Sequence, residues 1–510
     1  MTVKDVVQFV QMDSWNLTIQ EVLLMPPGAA MNATMNAGNV PVYNDSVSLN
    51  FTIMDPNPGS GQVLVIDLGA NYTLGTELSL QIFYATSPTG QALTWLTPAQ
   101  TAGKKLPYLY TQCEDINCRT VAPLQDTPSN RITYGGCTVV DQLLVAYMSA
   151  NKTGIYQAHY GYYKHCFYNS IPIPNYLMAI VVGDLVYQST GPNTGVITEP
   201  ENIQTVATCL SDLQQYLNVA EAYVQQPYIW GNYTIVVMPP SFPMGGMENP
   251  LLTFASPTII TDDKSQVYVA VHEICHSWTG NTVTMNNWED FWLNEGFTVF
   301  IERHVTAQLY NVGFAMTEAL IGNVSLANAI SDFGWNNTYS SLHPVLQGDN
   351  PDNSFSEVPY EKGFQMLQYI EDSILGYVLM EDFITFYIYN NFLTSIDAFT
   401  MRNTFSNYVQ SMLETPEAVN EALAMIDFEE WIYGIGWDPT GTLDFSTPDS
   451  DAAANLANAY LACNGRAGCV KQSQYEIYNT FYSNLKVVFH DTLETNLSST
   501  NPTMSAAVMT

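Results

Sequence analysis

The sequence predicts a multidomain α+β protein. Residues 1–191 form a β-rich N-terminal domain, 192–436 a mixed and increasingly helical domain, and 437–510 a linker with a partial helical C-terminal domain. Three observations carry that prediction. At roughly 100–200 residues per domain, a chain of 510 residues is too long for a single small module. Apolar residues make up 47% and aromatics 12%, a composition that supports packed cores and not a disordered chain. Near residue 200 the texture changes from short alternating runs to longer helical ones.

In the first part, Val47, Leu49, Phe51 and Ile53 alternate with Ser48, Asn50 and Thr52, which predicts one half-buried strand. Leu78, Leu80 and Ile82 repeat the pattern, and PNPGSG at 56–61 marks a turn. IVVMPPSFPMGGMENP, 235–250, reads as a strand followed by a loop. GIGWDPTGTLDFSTPDSD, 434–451, reads as a linker, and the Ala-rich 452–462 as a helix. No apolar run reaches the 18 residues of a spanning helix; Leu177–Val182 stops at Gly183 and Asp184. No internal repeat is visible.

The 48 acidic against 14 basic residues give −34, and the departure from ordinary composition lies in missing Lys and Arg. Such a surface repels phosphate backbones and anionic lipids, which argues against nucleic-acid and membrane-surface partners. In acid, the 14 Lys and Arg and 7 His are the only side chains that can become positive, so self-repulsion stays modest. Together with ten N-x-S/T sequons, among them Asn16, Asn50, Asn71, Asn232 and Asn336, this suggests an extracellular or acidic vesicular compartment. A cytoplasmic setting is the alternative, because MTVKDVVQFVQMD lacks the apolar core of a signal peptide. Of eight cysteines only Cys463 and Cys469 are close enough to suggest a local disulfide.

The chemistry is carried by VHEICHSW, 271–278. On a helix, His272 and His276 are four residues apart, so both imidazoles project from one face toward one metal ion, with Glu273 beside them. A catalytic zinc needs a third ligand and an open position for water. Glu295 in FWLNEGF, eighteen intervening residues on, supplies it if the chain turns and starts a second helix facing the first. One zinc ion on His₂Glu, with Glu273 as general base, fits hydrolysis of a peptide carbonyl. The oxyanion then calls for a hydrogen-bond donor. The remaining histidines lack metal spacing, Cys275 is a packing residue on another face, and Trp278, Trp288 and Trp292 are core aromatics.

Two further segments bear on the reaction. In SFPMGGMENP, Gly245 and Gly246 allow close backbone approach, and Glu248 stands in an apolar loop where a carboxylate wants a cation. A substrate ammonium would serve, as would backbone N–H groups. In SEVPYEKGF, Tyr360 follows a stiffening proline.

Taken together, the H-E-x-x-H pair, the distal glutamate, GGMEN and VPYEKG resemble the zinc aminopeptidase family of aminopeptidase N and aminopeptidase B. The resemblance is closest to its bifunctional leukotriene hydrolase/aminopeptidase branch. It extends through TQCEDINCR (111–119), QDTPS (125–129) and HSWTGN (276–281), in order from about residue 90 to 437. It implies a thermolysin-like catalytic domain, zinc on His272, His276 and Glu295, Glu273 as base and Tyr360 as oxyanion donor. It also implies that Glu248, helped by Glu114, holds the free α-amine of short peptides. Gln112, Gly245, Gly246, Met247 and Asn249 would contact substrate around them, and Asp352 and Phe355 would join from the segment before Tyr360.

Departures from that branch matter. Phe355 and Met244 stand where it has tyrosines, which makes the pocket more apolar, whereas Glu114 favours a basic first residue. Asp352 matches the aspartate used in epoxide opening, but beside Pro351 it also fits a loop. The segment after 437 is shorter than the family's helical domain, and no basic residue of this sequence matches those that bind a substrate carboxylate there. The favoured reading is therefore an aminopeptidase. Epoxide hydrolysis and a catalytically silent structural or surface protein are the alternatives, and oligomeric state is left open. Because His272 and His276 must be neutral to bind zinc, activity is expected near neutral pH even if the fold tolerates acid.

Overall fold

The computed structural model describes residues 1–26, 45–57, 59–463 and 469–500. Its first layer comprises β1 (Val7–Ser14), β2 (Thr18–Leu24), β3 (Val47–Ser48), β4 (Phe51–Ile53), β5 (Gln62–Tyr72) and β6 (Leu80–Ala85). They form two antiparallel sheets, ordered β1-β5-β4 and β3-β2-β6, over Val10, Val22, Leu64 and Ile66. The single strand predicted over 47–53 is divided. Its first half pairs with β2 and its second with β5, because the chain crosses between sheets at Leu49, whose N–H bonds the Val22 carbonyl at 2.9 Å. The turn after β4 closes with Gly61 N–H on the Asn57 carbonyl at 2.9 Å; Pro58 lies outside the described residues.

Next come β7 (Leu93–Leu96), β8 (Tyr108–Thr111), β9 (Arg131–Asp141), β10 (Val145–Met148), β11 (Asn151–His159), β12 (Tyr162–Pro174) and β13 (Ile180–Gly183), in antiparallel sheets β10-β13-β8-β7 and β11-β12-β9. Cys137 and Cys166, facing each other on β9 and β12, form a disulfide. Sequence spacing gave no hint of it.

The character of the sheets changes between Gly183 and Val186. β14 (Val186–Ser189), β15 (Thr194–Thr198), β16 (Tyr233–Val237), β17 (Gly246–Met247) and β18 (Thr253–Ala255) make a mixed sheet ordered β14-β15-β16-β18-β17. β15, β16 and β18 run parallel, and the antiparallel β14 and β17 close the edges. The crossover from β15 to β16 carries α1 (Ile203–Cys209) and α2 (Leu213–Val224). GGMEN thus forms an edge strand, so one backbone edge of β17 is unpaired.

Helices dominate from here: α3 (Tyr268–Cys275), α4 (Trp292–Leu309), α5 (Val312–Phe333), α6 (Gly363–Ile370), α7 (Tyr377–Asn390), α8 (Ala398–Met412), α9 (Pro416–Ala424) and α10 (Phe428–Tyr433). α4 is buried from Trp292 to Thr306, its polar side chains meeting partners such as His272, Glu361 and Glu371. Phe297 stacks on Tyr387 at 4.2 Å between ring centroids. The last helices, α11 (Pro448–Cys463), α12 (Gln472–Thr480) and α13 (Ser483–Thr500), form a separate core of Leu456, Phe481, Leu485 and Phe489. It leans on Leu320 and Ile321 of α5, and Tyr482 meets Thr317 at 3.1 Å. The expected Cys463–Cys469 disulfide is formed. Among the described residues no helix is long and apolar enough to cross a membrane.

One contact fixes α4 against the turn that carries Tyr360. A Cβ on Gly296 would lie 2.7 Å from Gly363 Cα and 3.2 Å from the Pro359 carbonyl, backbone that has nowhere to go. Gly296→Ala should therefore cost about 1–3 kcal/mol through overpacking. The urea midpoint is expected to fall and zinc retention to drop with it, since Glu295 is the adjacent residue. An unchanged midpoint and metal content would show that the contact is slack.

Candidate active site

α3 presents His272 and His276 side by side, with their Nε2 atoms 3.0 Å apart. After His276 the chain reverses through Gly280, whose φ is +132 and where a Cβ would lie 2.8 Å from His276 Nδ1. It returns at α4, whose first turn places Glu295 Oε2 at 3.4 Å from His272 Nε2 and 3.3 Å from His276 Nε2. These three donor atoms lie within 4.8 Å of one another.

Each imidazole is held from behind. His272 Nδ1 donates to Glu302 Oε2 at 3.0 Å, and His276 Nδ1 to the Thr279 carbonyl at 2.9 Å, with Thr298 Oγ1 at 3.1 Å. A carbonyl only accepts, so a proton sits on His276 Nδ1, and Nε2, facing Glu295, offers its lone pair to a metal once its own proton is lost. Glu295 Oε2 is buried and has no hydrogen-bond partner. Two imidazole nitrogens and an unpartnered carboxylate oxygen converging in a buried site fit a tetrahedral zinc with one open position.

The electrostatics agree. Burial lowers the pKa of both imidazoles, but the facing carboxylates outweigh it: Glu295 and Glu302 raise His272 well above the usual value, and Glu295 and Glu248 push His276 up to about 9. Burial alone would raise Glu295, yet the two imidazoles hold it down to about 2. Without a metal, the site collects protons instead.

Glu273 is buried, and burial pushes its carboxyl up to about 8 against the pull of His272 and His276. A Cβ on Gly246 would collide with Glu273 Oε1, so the glycine of β17 makes room for this carboxylate. Glu248 comes directly after that strand, its carbonyl held by Asn281 Nδ2 at 2.9 Å. Buried Glu248 Oε1 and Glu114 Oε1 both lack hydrogen-bond partners. Burial raises both carboxyls, and Glu248 raises Glu114 further. Tyr360 sits on a π-helical turn (Val358–Lys362), its ring stacked 6.2 Å from His272 and wedged against Phe291 and Phe355. Burial, then Glu295, keeps its hydroxyl firmly protonated.

These groups open on one cavity of about 610 Å³, whose wall includes Glu114, Gly245, Gly246, Glu248, Glu273, Phe355 and Tyr360 with the three metal donors. Gln112, Met247, Asn249 and Asp352 are not part of that wall. Gln112 Nε2 instead reaches Met247 Sδ at 3.2 Å behind it, Asn249 is buried, and Asp352 is exposed and bonded to Asp115. Sequence reasoning missed Glu302, Thr279 and Thr298 behind the histidines, and Glu318, Glu357 and Glu361 along the wall. Glu302 was findable: it lies two helical turns after Glu295, on the same face.

Residues 209–431 match the peptidase family M1 domain. Leucine aminopeptidase 2 of Aspergillus clavatus is 36% identical over 409 residues, 79% of this chain and 65% of the relative. Leukotriene A-4 hydrolase of Xenopus laevis is 39% identical over 381 residues, 74% of this chain and 61% of the relative. The native leukotriene A4 hydrolase of Saccharomyces cerevisiae superposes with a TM-score of 0.83 at 30% identity, covering 100% of this chain and 77% of that one. An M1 zinc metallopeptidase of Deinococcus radiodurans, at 17% identity and TM-score 0.60, shares the fold. The chain spans 65% and 61% of the length of the two curated relatives described.

Metal binding can be tested in two ways. Glu302→Gln weakens the acceptor behind His272 and should lower zinc affinity about 10–100-fold in competition with a chromogenic chelator; unchanged affinity would show that Glu302 does not orient the ligand. Because His276 holds a proton below about pH 9 in the metal-free site, zinc must displace it, so affinity rises with pH up to that value. Calorimetry at neutral pH in buffers of different ionisation enthalpy should register proton release on zinc binding, and an enthalpy independent of buffer would contradict this.

Proposed function

The chain belongs to peptidase family M1, and on that premise we propose that it is a zinc aminopeptidase acting on short peptides with a free N-terminus. The observation that carries this reading is the pair of carboxylates, Glu114 and Glu248, each with one buried oxygen that has no hydrogen-bond partner, on the wall of the cavity that holds the metal donors. A buried carboxylate without a partner is costly, and two together ask for a cation. A peptide's α-ammonium meets that demand and sets the N-terminal residue beside Glu273.

His272, His276 and Glu295 would hold the zinc. Bound there, zinc supplies Lewis acidity, acidifying a water and polarising the scissile carbonyl. Glu273 would take a proton from that water and return it to the leaving amine. Tyr360, kept protonated, donates its hydroxyl hydrogen to the oxygen on which charge develops. The free edge of β17 offers backbone groups to the peptide, and Gly246 keeps that edge clear of Glu273.

Met244 and Phe355 on the cavity wall, and the name of the leucine aminopeptidase relatives, support an apolar first residue. Epoxide hydrolysis has less support. Asp352 is off the wall, and the basic side chain on it, Arg303, is already paired with Glu361. We further propose an oxidising, extracellular or vesicular compartment, which the two disulfides support.

Release of chromophore from leucyl anilide by the zinc-loaded chain is expected near neutral pH and should stop with chelator. A pH maximum below about 5, well under the ordinary histidine pKa, would contradict the mechanism. Glu273→Gln should lower kcat by about 10²–10⁴-fold while retaining zinc, and Tyr360→Phe by about 10²–10³-fold with little change in KM. Full activity in either variant would remove that residue from its role.

A further inference from the structure

The cavity continues past the metal donors into an arm that the reaction above does not use. Glu302, Glu318, Glu357 and Glu361 line it, with Gly322 of α5 and Asn484 of α13. Its positive side chain is Arg303, and both Nη atoms are committed to Glu361, at 2.9 and 2.7 Å, with the guanidinium lying over Phe364 at 4.0 Å. Glu302 is tied to His272. Glu318 is different: it is 8% exposed, its Oε1 has no hydrogen-bond partner of good geometry, and its neutral contacts are Thr306 Oγ1, at 3.4 Å from Oε2, and the Asn484 side chain. A buried, unpartnered carboxylate oxygen on a cavity wall calls for a cation from outside.

The arm and the amine site are separate regions of the cavity. Glu114 and the β17 segment build the amine site, whereas the wall around Glu318 is built by α4, α5 and α13. Glu302 also binds His272 at Nδ1, the ring nitrogen turned away from the metal-facing Nε2. A peptide anchored by its α-amine at Glu114 and Glu248 and cut at its first peptide bond would carry its second residue past the metal donors, away from the amine site. Gly322 makes room for Glu361, since a Cβ there would collide with its carboxylate.

We propose that this arm is a subsite for a positively charged side chain on the second residue of the peptide, with Glu318 as its carboxylate partner. The inference rests on the aminopeptidase reading above and deepens it: preferred substrates carry Lys or Arg immediately after the bond that is cut. Glu318 is a binding and specificity residue, not a catalytic one.

The test uses the zinc-loaded full chain and tripeptides Leu-X-Gly, where X is Lys, Arg, ornithine, norleucine or Glu, beside leucyl anilide, which has no second residue. Lys and Arg should exceed norleucine in kcat/KM by about tenfold, carried mainly by KM, with ornithine intermediate and Glu poorest. Glu318→Gln should bring the Lys-to-norleucine ratio close to one, and Glu318→Asp should restore part of it. If the Gln variant does not fold, the wild-type series decides alone. A wild-type ratio at or below one, with leucyl anilide still turned over, overturns this inference and leaves the aminopeptidase standing. An unchanged ratio in a folded Glu318→Gln overturns the role of Glu318. No turnover of leucyl anilide or any tripeptide removes the reading on which both rest.

Discussion

Three electron-rich atoms, two imidazole Nε2 and one carboxylate Oε2, are held within about 3.4 Å of one another inside the protein, and much of the catalytic architecture serves that crowding. Left to themselves, these groups would turn away or fill with protons, as the raised histidine pKa values express. They stay because Glu302, Thr279 and Thr298 grip the imidazoles from behind and because Gly280 lets the chain reverse against His276. The contact of Gly296 with Gly363 then ties the helix of Glu295 to the turn of Tyr360. A divalent cation turns the same repulsion into binding energy.

The rest of the cavity follows a similar logic. Glu114, Glu248, Glu273 and Glu318 each present a buried carboxylate oxygen without a partner, and the guanidinium on the wall is already paired. Burial raises all four carboxyls. On the proposed reading these carboxylates receive positive charge at more than one place: the metal, the peptide's α-ammonium and, further in, a basic side chain. The shortage of Lys and Arg across the sequence suits this arrangement, because few internal cations compete for these carboxylates.

What could be read from the sequence was chemistry set by short-range spacing. His272, Glu273 and His276 lie on one helix, and Glu295 had to open the next, so the metal donors were legible from period and loop length. Glu302 obeyed the same periodicity and was passed over because no motif pointed to it. Long-range contacts left no local trace: the Cys137–Cys166 disulfide joins strands 29 residues apart, and Glu318 reaches the cavity by the packing of α5 against α4. The alternation over 47–53 was real, but a strand that changes sheets keeps its alternation while losing its continuity. Met247 and Asn249 alternate with Gly246 and Glu248, which do face the cavity, and in extended backbone adjacent side chains point to opposite sides; Gln112 is drawn off the wall by its contact with Met247 Sδ.

The central claim is that a free α-ammonium completes this site. It is tested most directly by comparing kcat/KM for leucyl anilide with that for 4-methylpentanoyl anilide, the same substrate without its amine, on the zinc-loaded chain. The account predicts a loss on the order of 10²–10³-fold or more for the deaminated compound, because it leaves two buried carboxylates unpaired. Comparable turnover of the two would contradict it.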